Sequence, residues 1–249
     1  MLYSRGMWLV CLLLLWPGLS YAAEFSIDLQ LRDTTLKAPR YRPEFSGQGP
    51  FSVIDEGIRR QYYYYQPQRA GPQAPLLLLL HGAGRDGRSM MDTWKTTAQK
   101  HGLRLLAPDG VRHNWSMRPS AEWPALKKMV EQHSGGGDPL YVFGHSNGAR
   151  MALRLAAAFP AEFAAVAVHA GTEPGLDVAS YSGARPAIAL FLGAQDHIFS
   201  VPGGRATVQR FEQAGFKTSL YILQNHTHWY YSDAPRINQS IWAFMKRYP

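Results

Sequence analysis

One five-residue segment constrains the folding of this chain more than any other. The segment is Gly-His-Ser-Asn-Gly at 144–148; it follows the apolar run 140–143 and opens a stretch, 147–159, that is rich in Ala, Leu, Arg and Met. This pattern predicts a strand, a tight turn and a helix in immediate succession. The two glycines leave room for the neighbouring strand and helix, and the serine takes a strained backbone. The segment is therefore predicted to be a nucleophile elbow that presents the Ser146 hydroxyl above a sheet.

Short apolar runs alternate with amphipathic stretches along the rest of the chain. Leu76–Leu80 is five leucines between Pro75 and His81, as expected of a strand buried on both faces. The full pattern predicts strands at 60–66, 76–80, 103–107, 140–143, 163–169, 186–192 and 218–223, and helices at 89–101, 121–133, 147–159, 204–214 and 235–247. Such alternation predicts one α/β domain with a mostly parallel sheet, helices on both faces, and ligands at the carboxyl ends of the strands.

The first residues resemble a secretory signal peptide. Arg5 precedes the apolar run Trp8–Trp16, which is too short to span a membrane comfortably, and small residues follow at Ala22 and Ala23. Residues 1–23 are therefore predicted to be removed on export to the periplasm or the outside of the cell; an uncleaved N-terminal anchor is the alternative. The polar, proline-containing residues from Glu24 to about Pro50 are predicted to form an irregular arm of the single domain 24–249.

Composition limits the classes of chemistry and of partner. Cys11 is the only cysteine and lies inside the predicted signal peptide, so the mature chain would have neither a disulfide nor a thiol nucleophile. The net charge of +8 becomes +7 without Arg5, since 25 basic and 18 acidic residues remain. The basic residues are scattered, so no nucleic-acid partner is expected, nor a membrane partner after cleavage. The charge is compatible with an anionic polymer or substrate.

Ser146 needs a general base and a group that orients that base. Asp196 follows the predicted strand 186–192, and His226 and His228 follow the predicted strand 218–223, which is the order Ser, Asp, His expected around a nucleophile elbow. The predicted catalytic residues are Ser146, Asp196 and His228. His226 is the alternative base, or else a residue that supports the base from behind or faces the substrate. His101, His113, His133 and His169 are expected to be structural.

Two backbone N–H groups are predicted to stabilise an oxyanion. One belongs to Asn147, directly after the nucleophile, and the other to Ala83 in the segment His-Gly-Ala-Gly at 81–84. The His-x-His pair at 226–228 could also be read as metal ligands, but no third ligand is obvious nearby, so no metal and no cofactor are predicted.

With these motifs the chain resembles the α/β-hydrolases, and more narrowly the secreted esterases grouped with polyhydroxybutyrate depolymerases and feruloyl or acetylxylan esterases. The resemblance covers most of residues 75–231. It depends on His-Gly-Ala-Gly at 81–84, Pro-Asp-Gly at 108–110 with Asn-Trp at 114–115, the elbow, Gly-Ala-Gln-Asp at 193–196 and His-Trp-Tyr at 228–230. The chain departs from the family at Ala149, where members often carry a second glycine, and in its lack of disulfides.

The resemblance implies an exported serine hydrolase that cleaves carboxylic esters through an acyl-enzyme. The short segment between Gly171 and Pro186 leaves no room for a large lid, which favours short-chain esters or aromatic and polymer-linked esters. Trp115 and Trp229 are expected at the rim of the site, where they could stack on a sugar or a phenolic ring. The alternatives are a serine peptidase of the prolyl-oligopeptidase type and a catalytically idle α/β-hydrolase that acts as a binding protein.

Overall fold

The fold is built on a nine-stranded sheet in the computed structural model, which describes residues 23–29, 41–45 and 48–249. The strands are β1 (Ala23–Ile27), β2 (Gln48–Asp55), β3 (Ile58–Tyr65), β4 (Leu76–Leu80), β5 (Arg104–Pro108), β6 (Leu140–His145), β7 (Ala165–His169), β8 (Ala187–Gly193) and β9 (Thr218–Leu223). The helices are α1 (Gly87–His101), α2 (Pro119–Glu131), α3 (Asn147–Ala158), α4 (Val201–Gln213) and α5 (Ala234–Met245).

The sheet runs in the order β1-β9-β8-β7-β6-β4-β5-β3-β2. All neighbouring strands are parallel except β2 with β3 and β3 with β5, which are antiparallel. The carboxyl ends of β4, β6, β7, β8 and β9 therefore lie along one edge of the sheet. This edge carries every residue that was predicted to do chemistry.

The five leucines of β4 show how the sheet is held between two layers of helices. Leu78 and its alternate neighbours pack among side chains of α2, α3 and α4, whereas Leu77 and Leu79 pack among side chains of α1 and α5. All five are at most 1% exposed. Burying a leucine contributes about 2 kcal/mol, and alternate side chains of a strand point to opposite faces, so a run of leucines is stable only between two apolar layers. The predicted α/β-hydrolase fold is confirmed.

The prediction of an irregular arm over 24–50 is wrong at both of its ends. β1 pairs in parallel with β9, from Ala23 opposite Ser219 to Ile27 opposite Leu223. β2 begins at Gln48 and pairs with β3 around a tight turn in which Glu56 and Gly57 have φ values of 47° and 78°. Both strands lie at the edges of the sheet and are largely exposed, so backbone hydrogen bonds form them and the apolar pattern gives no signal.

The predicted signal peptide lies outside the described residues, apart from Ala23, which begins β1. Within the described ranges, no helix has the length and the apolar character needed to cross a membrane. Residues 170–186, between β7 and β8, form neither a helix nor a strand.

Candidate active site

The tight turn between β6 and α3 holds Ser146 in a strained conformation. Ser146 has φ 53° and ψ −114°, a backbone conformation that residues other than glycine rarely adopt. A Cβ atom added to Gly144 would lie 2.3 Å from the Gly148 carbonyl oxygen, and one added to Gly148 would lie 2.1 Å from the carbonyl oxygen of Leu80. Neither position therefore tolerates a side chain unless the backbone moves. The serine hydroxyl is left at the carboxyl edge of the sheet, half-buried.

Ala149 departs from the resembled family, and the neighbouring strand end accommodates its methyl group. A Cβ atom added to Gly171 would lie 2.4 Å from the Ala149 Cβ and 3.0 Å from the Ser146 carbonyl oxygen. Because Gly171 has no side chain, the Ala149 methyl group fits against the segment after β7. The elbow and the segment after β7 are therefore in close contact.

The structure brings Ser146, His228 and Asp196 into one hydrogen-bonded row. The Ser146 Oγ lies 3.0 Å from His228 Nε2, and His228 Nδ1 lies 3.0 Å from Asp196 Oδ2. The His228 side chain is 3% exposed and that of Asp196 is fully buried. A Cβ atom added to Gly193, at the end of β8, would lie 2.3 Å from the His226 carbonyl oxygen, so the loops that carry Asp196 and His228 touch through their backbones.

The surroundings of Asp196 keep its carboxylate charged. Burial by itself raises the pKa of this carboxyl, but hydrogen bonds from His228 and from the backbone N–H groups of Phe199 and Ile198, at 2.9 and 2.8 Å, bring the pKa below its usual value. A charged Asp196 accepts the Nδ1–H of His228, which leaves Nε2 as an acceptor for the Ser146 hydroxyl. This tautomer is the one that a general base requires.

The segment His-Gly-Ala-Gly at 81–84 lies against the elbow. A Cβ atom added to Gly82 would lie 3.1 Å from His145 Cδ2 and 3.4 Å from Ser146 Cβ. Ala83 follows and is exposed, and Asn147 is the first residue of α3. Among the described residues, neither the Ala83 nor the Asn147 backbone N–H donates to a backbone carbonyl outside regular elements. Asn147 directly follows the nucleophile, and Ala83 follows the glycine that contacts it, so both N–H groups stay candidates for stabilising an oxyanion.

Trp115 is predicted at the rim, but the structure buries it against the segment His-Gly-Ala-Gly at 81–84. It is 4% exposed, its indole N–H donates to the His81 carbonyl oxygen at 2.9 Å, and its backbone N–H donates to Asn147 Oδ1 at 3.0 Å. The prediction that Trp115 lies at an exposed rim is therefore wrong. An aromatic residue in a loop carries no signal for the direction in which its ring points.

His81 completes this support in its neutral form. Its Nε2 accepts the Gly110 N–H at 2.9 Å, and its Nδ1 donates to the Gly82 carbonyl oxygen at 2.8 Å. Burial lowers the pKa of His81 to about 4, so the ring stays neutral at physiological pH and fills both roles.

His226 does not face the candidate site, so of its two predicted roles the structure disagrees with the substrate-facing one and agrees with a residue behind the base. Its side chain is fully buried, and its Nε2 lies 2.9 Å from His169 Nε2. His228, two residues later, is the histidine that reaches Ser146, because the loop after β9 turns one imidazole into the core and the other toward the edge of the sheet.

Trp229 lies half-buried beside the base, together with aromatic residues that the sequence analysis did not single out. Its ring is perpendicular to His228 with the centroids 5.2 Å apart, and it lies 6.0 Å from the ring of the exposed His197. Phe199 stacks on His228 with the centroids 5.7 Å apart. The only available signal was position, since His197 and Phe199 come directly after the predicted acid in the chain.

Comparisons with known proteins agree with this geometry. The family model for the alpha/beta hydrolase fold matches residues 75–243. A segment of 115 residues, 40% of this chain and 33% of the relative, is 34% identical to "Putative esterase NocK" from Nocardia uniformis subsp. tsuyamanensis, so the match spans about a third of that protein.

Solved structures of different activities share the fold. LpqC, a poly(3-hydroxybutyrate) depolymerase from Bordetella parapertussis, superposes with a TM-score of 0.59 and 18% identity over 82% of this chain and 92% of its own. A "putative dipeptidyl aminopeptidase IV" from Bacteroides ovatus ATCC 8483 gives 0.64 and 14% over 80% of this chain and 35% of its own. These identities establish a shared fold and not a shared activity. With a family match that runs from β4 to α5 and includes the whole candidate site, the chain belongs to the α/β-hydrolase fold family.

Proposed function

We propose that this protein is a serine hydrolase of carboxylic esters that works through an acyl-enzyme on Ser146. The observation that carries the proposal is the row in which Ser146 Oγ, His228 and Asp196 are joined by two contacts of 3.0 Å. A nucleophile, its base and the group that orients the base stand in this arrangement in hydrolases of unrelated folds.

In the proposed reaction, His228 Nε2 takes the Ser146 proton while Oγ attacks the ester carbonyl carbon. Asp196 stabilises the imidazolium that results. The imidazolium then gives its proton to the departing alcohol, which leaves an ester on Ser146. Water, activated by the same nitrogen, hydrolyses that ester and restores the enzyme.

The Ala83 and Asn147 N–H groups would stabilise the oxyanion of each tetrahedral intermediate. Each such donor contributes about 3 kcal/mol in the transition state. Asn147 also stands at the N-terminus of α3, where the helix dipole favours negative charge. Trp115 and His81 would act indirectly, by holding the loop that carries Ala83.

The substrates that we propose are short-chain esters and aromatic or polymer-linked esters. The segment 170–186 forms no helical cover, and Trp229, Phe199 and His197 line the side of the base. The relative named as a putative esterase and the structural neighbour named as a depolymerase support this class of substrate. We also infer that the protein is exported, from the N-terminal pattern at 1–23.

Hydrolysis of p-nitrophenyl acetate, butyrate and octanoate, with a p-nitroanilide amide alongside, tests the proposal. We expect the esters of short acids to be preferred, and Ser146→Ala to lower turnover by about 10⁵-fold or more with no change in melting temperature. Ser180→Ala, in an exposed loop, is the matched control and should retain full activity.

Two results would overturn the proposal and select another activity. Turnover of the amide with none of the esters would indicate a serine peptidase, in line with the neighbour of the same fold that is named a putative dipeptidyl aminopeptidase. A folded protein that neither hydrolyses any substrate nor reacts with a fluorophosphonate at Ser146 would indicate a binding protein.

A further inference from the structure

Three buried imidazoles form a hydrogen-bonded chain directly beneath the candidate catalytic residues. His145 Nδ1 lies 3.1 Å from His169 Nδ1, and His169 Nε2 lies 2.9 Å from His226 Nε2. The three residues are 2%, 0% and 0% exposed. The proposed reaction uses none of these three side chains.

This histidine chain (His145, His169 and His226) joins the nucleophile to residues 224–230, the loop after β9 that carries His228 (the base loop). His145 is the residue before Ser146, and His169 lies opposite it at the end of β7. The His169 carbonyl oxygen also accepts the Ser146 N–H at 3.0 Å. His226 precedes His228 by two residues. Since β8 lies between β7 and β9, the histidine chain crosses the end of β8 to reach the loop after β9.

Glycine at the end of β8 makes this crossing possible. A Cβ atom added to Gly193 would lie 2.3 Å from the His226 carbonyl oxygen and 2.5 Å from that of Thr227. The base loop therefore rests on the backbone of β8 and can approach His169. The ring of His145 in turn lies 5.3 Å from the ring of His228.

The protons of the histidine chain are coupled. A neutral imidazole has one N–H, and each of the two contacts requires one. Neutral His169 must donate through one ring nitrogen and accept through the other, so its tautomer determines those of His145 and His226. Burial lowers the pKa of both His145 and His169 well below the usual value, which keeps these rings neutral. Because the rings are neutral and their tautomers are fixed, each of the two hydrogen bonds has one donor and one acceptor and sets the distance between its two rings.

We propose that His145, His169 and His226 are positioning residues that hold the base loop at the distance from Ser146 that proton transfer requires. The proposal rests on the proposed function only in that Ser146 and His228 react together. A displacement of about 1 Å at a reacting centre can lower a rate by about 10²-fold, so a link between the two segments acts on turnover rather than on binding.

Three substitutions at His169 separate hydrogen bonding from volume. His169→Leu fills the site and removes both contacts. The amide of His169→Asn replaces Nδ1 and can bond to His145, whereas the longer His169→Gln replaces Nε2 and can bond to His226. We expect Leu to lower kcat on p-nitrophenyl acetate by about 10- to 100-fold with KM within about twofold, and Asn and Gln to recover part of that loss.

The rate at which a fluorophosphonate labels Ser146 is the second measurement, because it needs no ester substrate. If the wild-type protein reacts with the label but hydrolyses no ester, the proposed function fails while the labelling rates of the variants still test the positioning role. His133→Leu is the matched control, since this histidine is half-buried and contacts the Tyr62 hydroxyl at 3.1 Å on another part of the sheet. It should change the melting temperature and not the labelling rate.

Two results would overturn the positioning role. One is that His169→Leu keeps the kcat and the labelling rate of the wild-type protein. The other is a loss in all three His169 variants that follows their melting temperatures, with Asn and Gln no better than Leu, since that pattern reflects core packing alone.

Discussion

The elbow at 144–148 and the base loop at 224–230 meet at the same site but are held in place by different forces. Backbone sterics fix the conformation of the elbow. Ser146 has a positive φ of 53°, and any side chain at Gly144 or Gly148 would collide with a carbonyl oxygen. Side-chain contacts fix the conformation of the base loop, since His228 contacts Asp196 and His226 contacts His169.

This difference explains why the sequence predicts the elbow from a pattern but leaves the roles of the two histidines in the base loop open. A steric requirement selects a residue type at a fixed spacing, so the elbow is visible as a pattern of five residues. A side-chain contact depends on a partner that is distant in the chain, as His169 is from His226. The loop then shows two histidines, and nothing local distinguishes their roles.

The largest expected effect tests the division of roles within the base loop. His228→Gln removes the base and should lower kcat by about 10⁴- to 10⁶-fold. His226→Gln keeps an amide that can bond to His169, so it should lower kcat by less than about tenfold. Steady-state hydrolysis of p-nitrophenyl acetate compares the two. The reverse ranking would make His226 the base and refute the assignment.

Gly148→Ala is expected to have the next largest effect, because it tests the steric control of the elbow. The new methyl group would lie 2.1 Å from the Leu80 carbonyl oxygen, although alanine favours a helix. The elbow must shift, which should lower kcat by about 10²-fold and the free energy of unfolding by about 1–3 kcal/mol. Activity and denaturant unfolding measure the two losses.

Gly175→Ala is the control for this substitution. Gly175 lies in an exposed loop with nothing within 4 Å of the added carbon, so activity and stability should be unchanged. If Gly148→Ala behaved like the control, backbone sterics would not be what holds the elbow.

The smallest effect is a pH dependence of stability that arises from the buried histidines. His81 has a pKa of about 4 against 6.5 for a free histidine, and the pKa values of His145 and His169 are also lowered. Below pH 6.5 the unfolded chain therefore binds more protons than the folded one, so stability falls as the pH drops from 6.5 toward 4. Asp196 adds a loss only at lower pH, where its carboxylate becomes protonated.

Melting temperatures at pH 7.5 and 4.5 measure this dependence. We expect a lower melting temperature at pH 4.5, and a smaller difference between the two values in His169→Leu, which has one buried histidine fewer. Equal melting temperatures at the two pH values would mean that the buried histidines do not remain neutral in the folded protein.

The sequence alone determined the inner strands of the sheet, the elbow and the order of the candidate triad. Apolar periodicity is local, so Leu76–Leu80 and the other inner strands could be predicted to within a few residues. Steric demands are local as well, and they placed Ser146. The position of Asp196 and of the His-x-His pair followed, because parallel strands bring their carboxyl ends to one edge.

Only the tertiary structure decided the rest. It turned His228 toward Ser146 and His226 into the core, buried Trp115 against the segment 81–84, and formed β1 and β2 from segments without an apolar pattern. In each case the deciding partner comes from another part of the chain. Side-chain direction and edge pairing depend on contacts that exist only after folding, and a sequence pattern records only what neighbouring residues demand of one another.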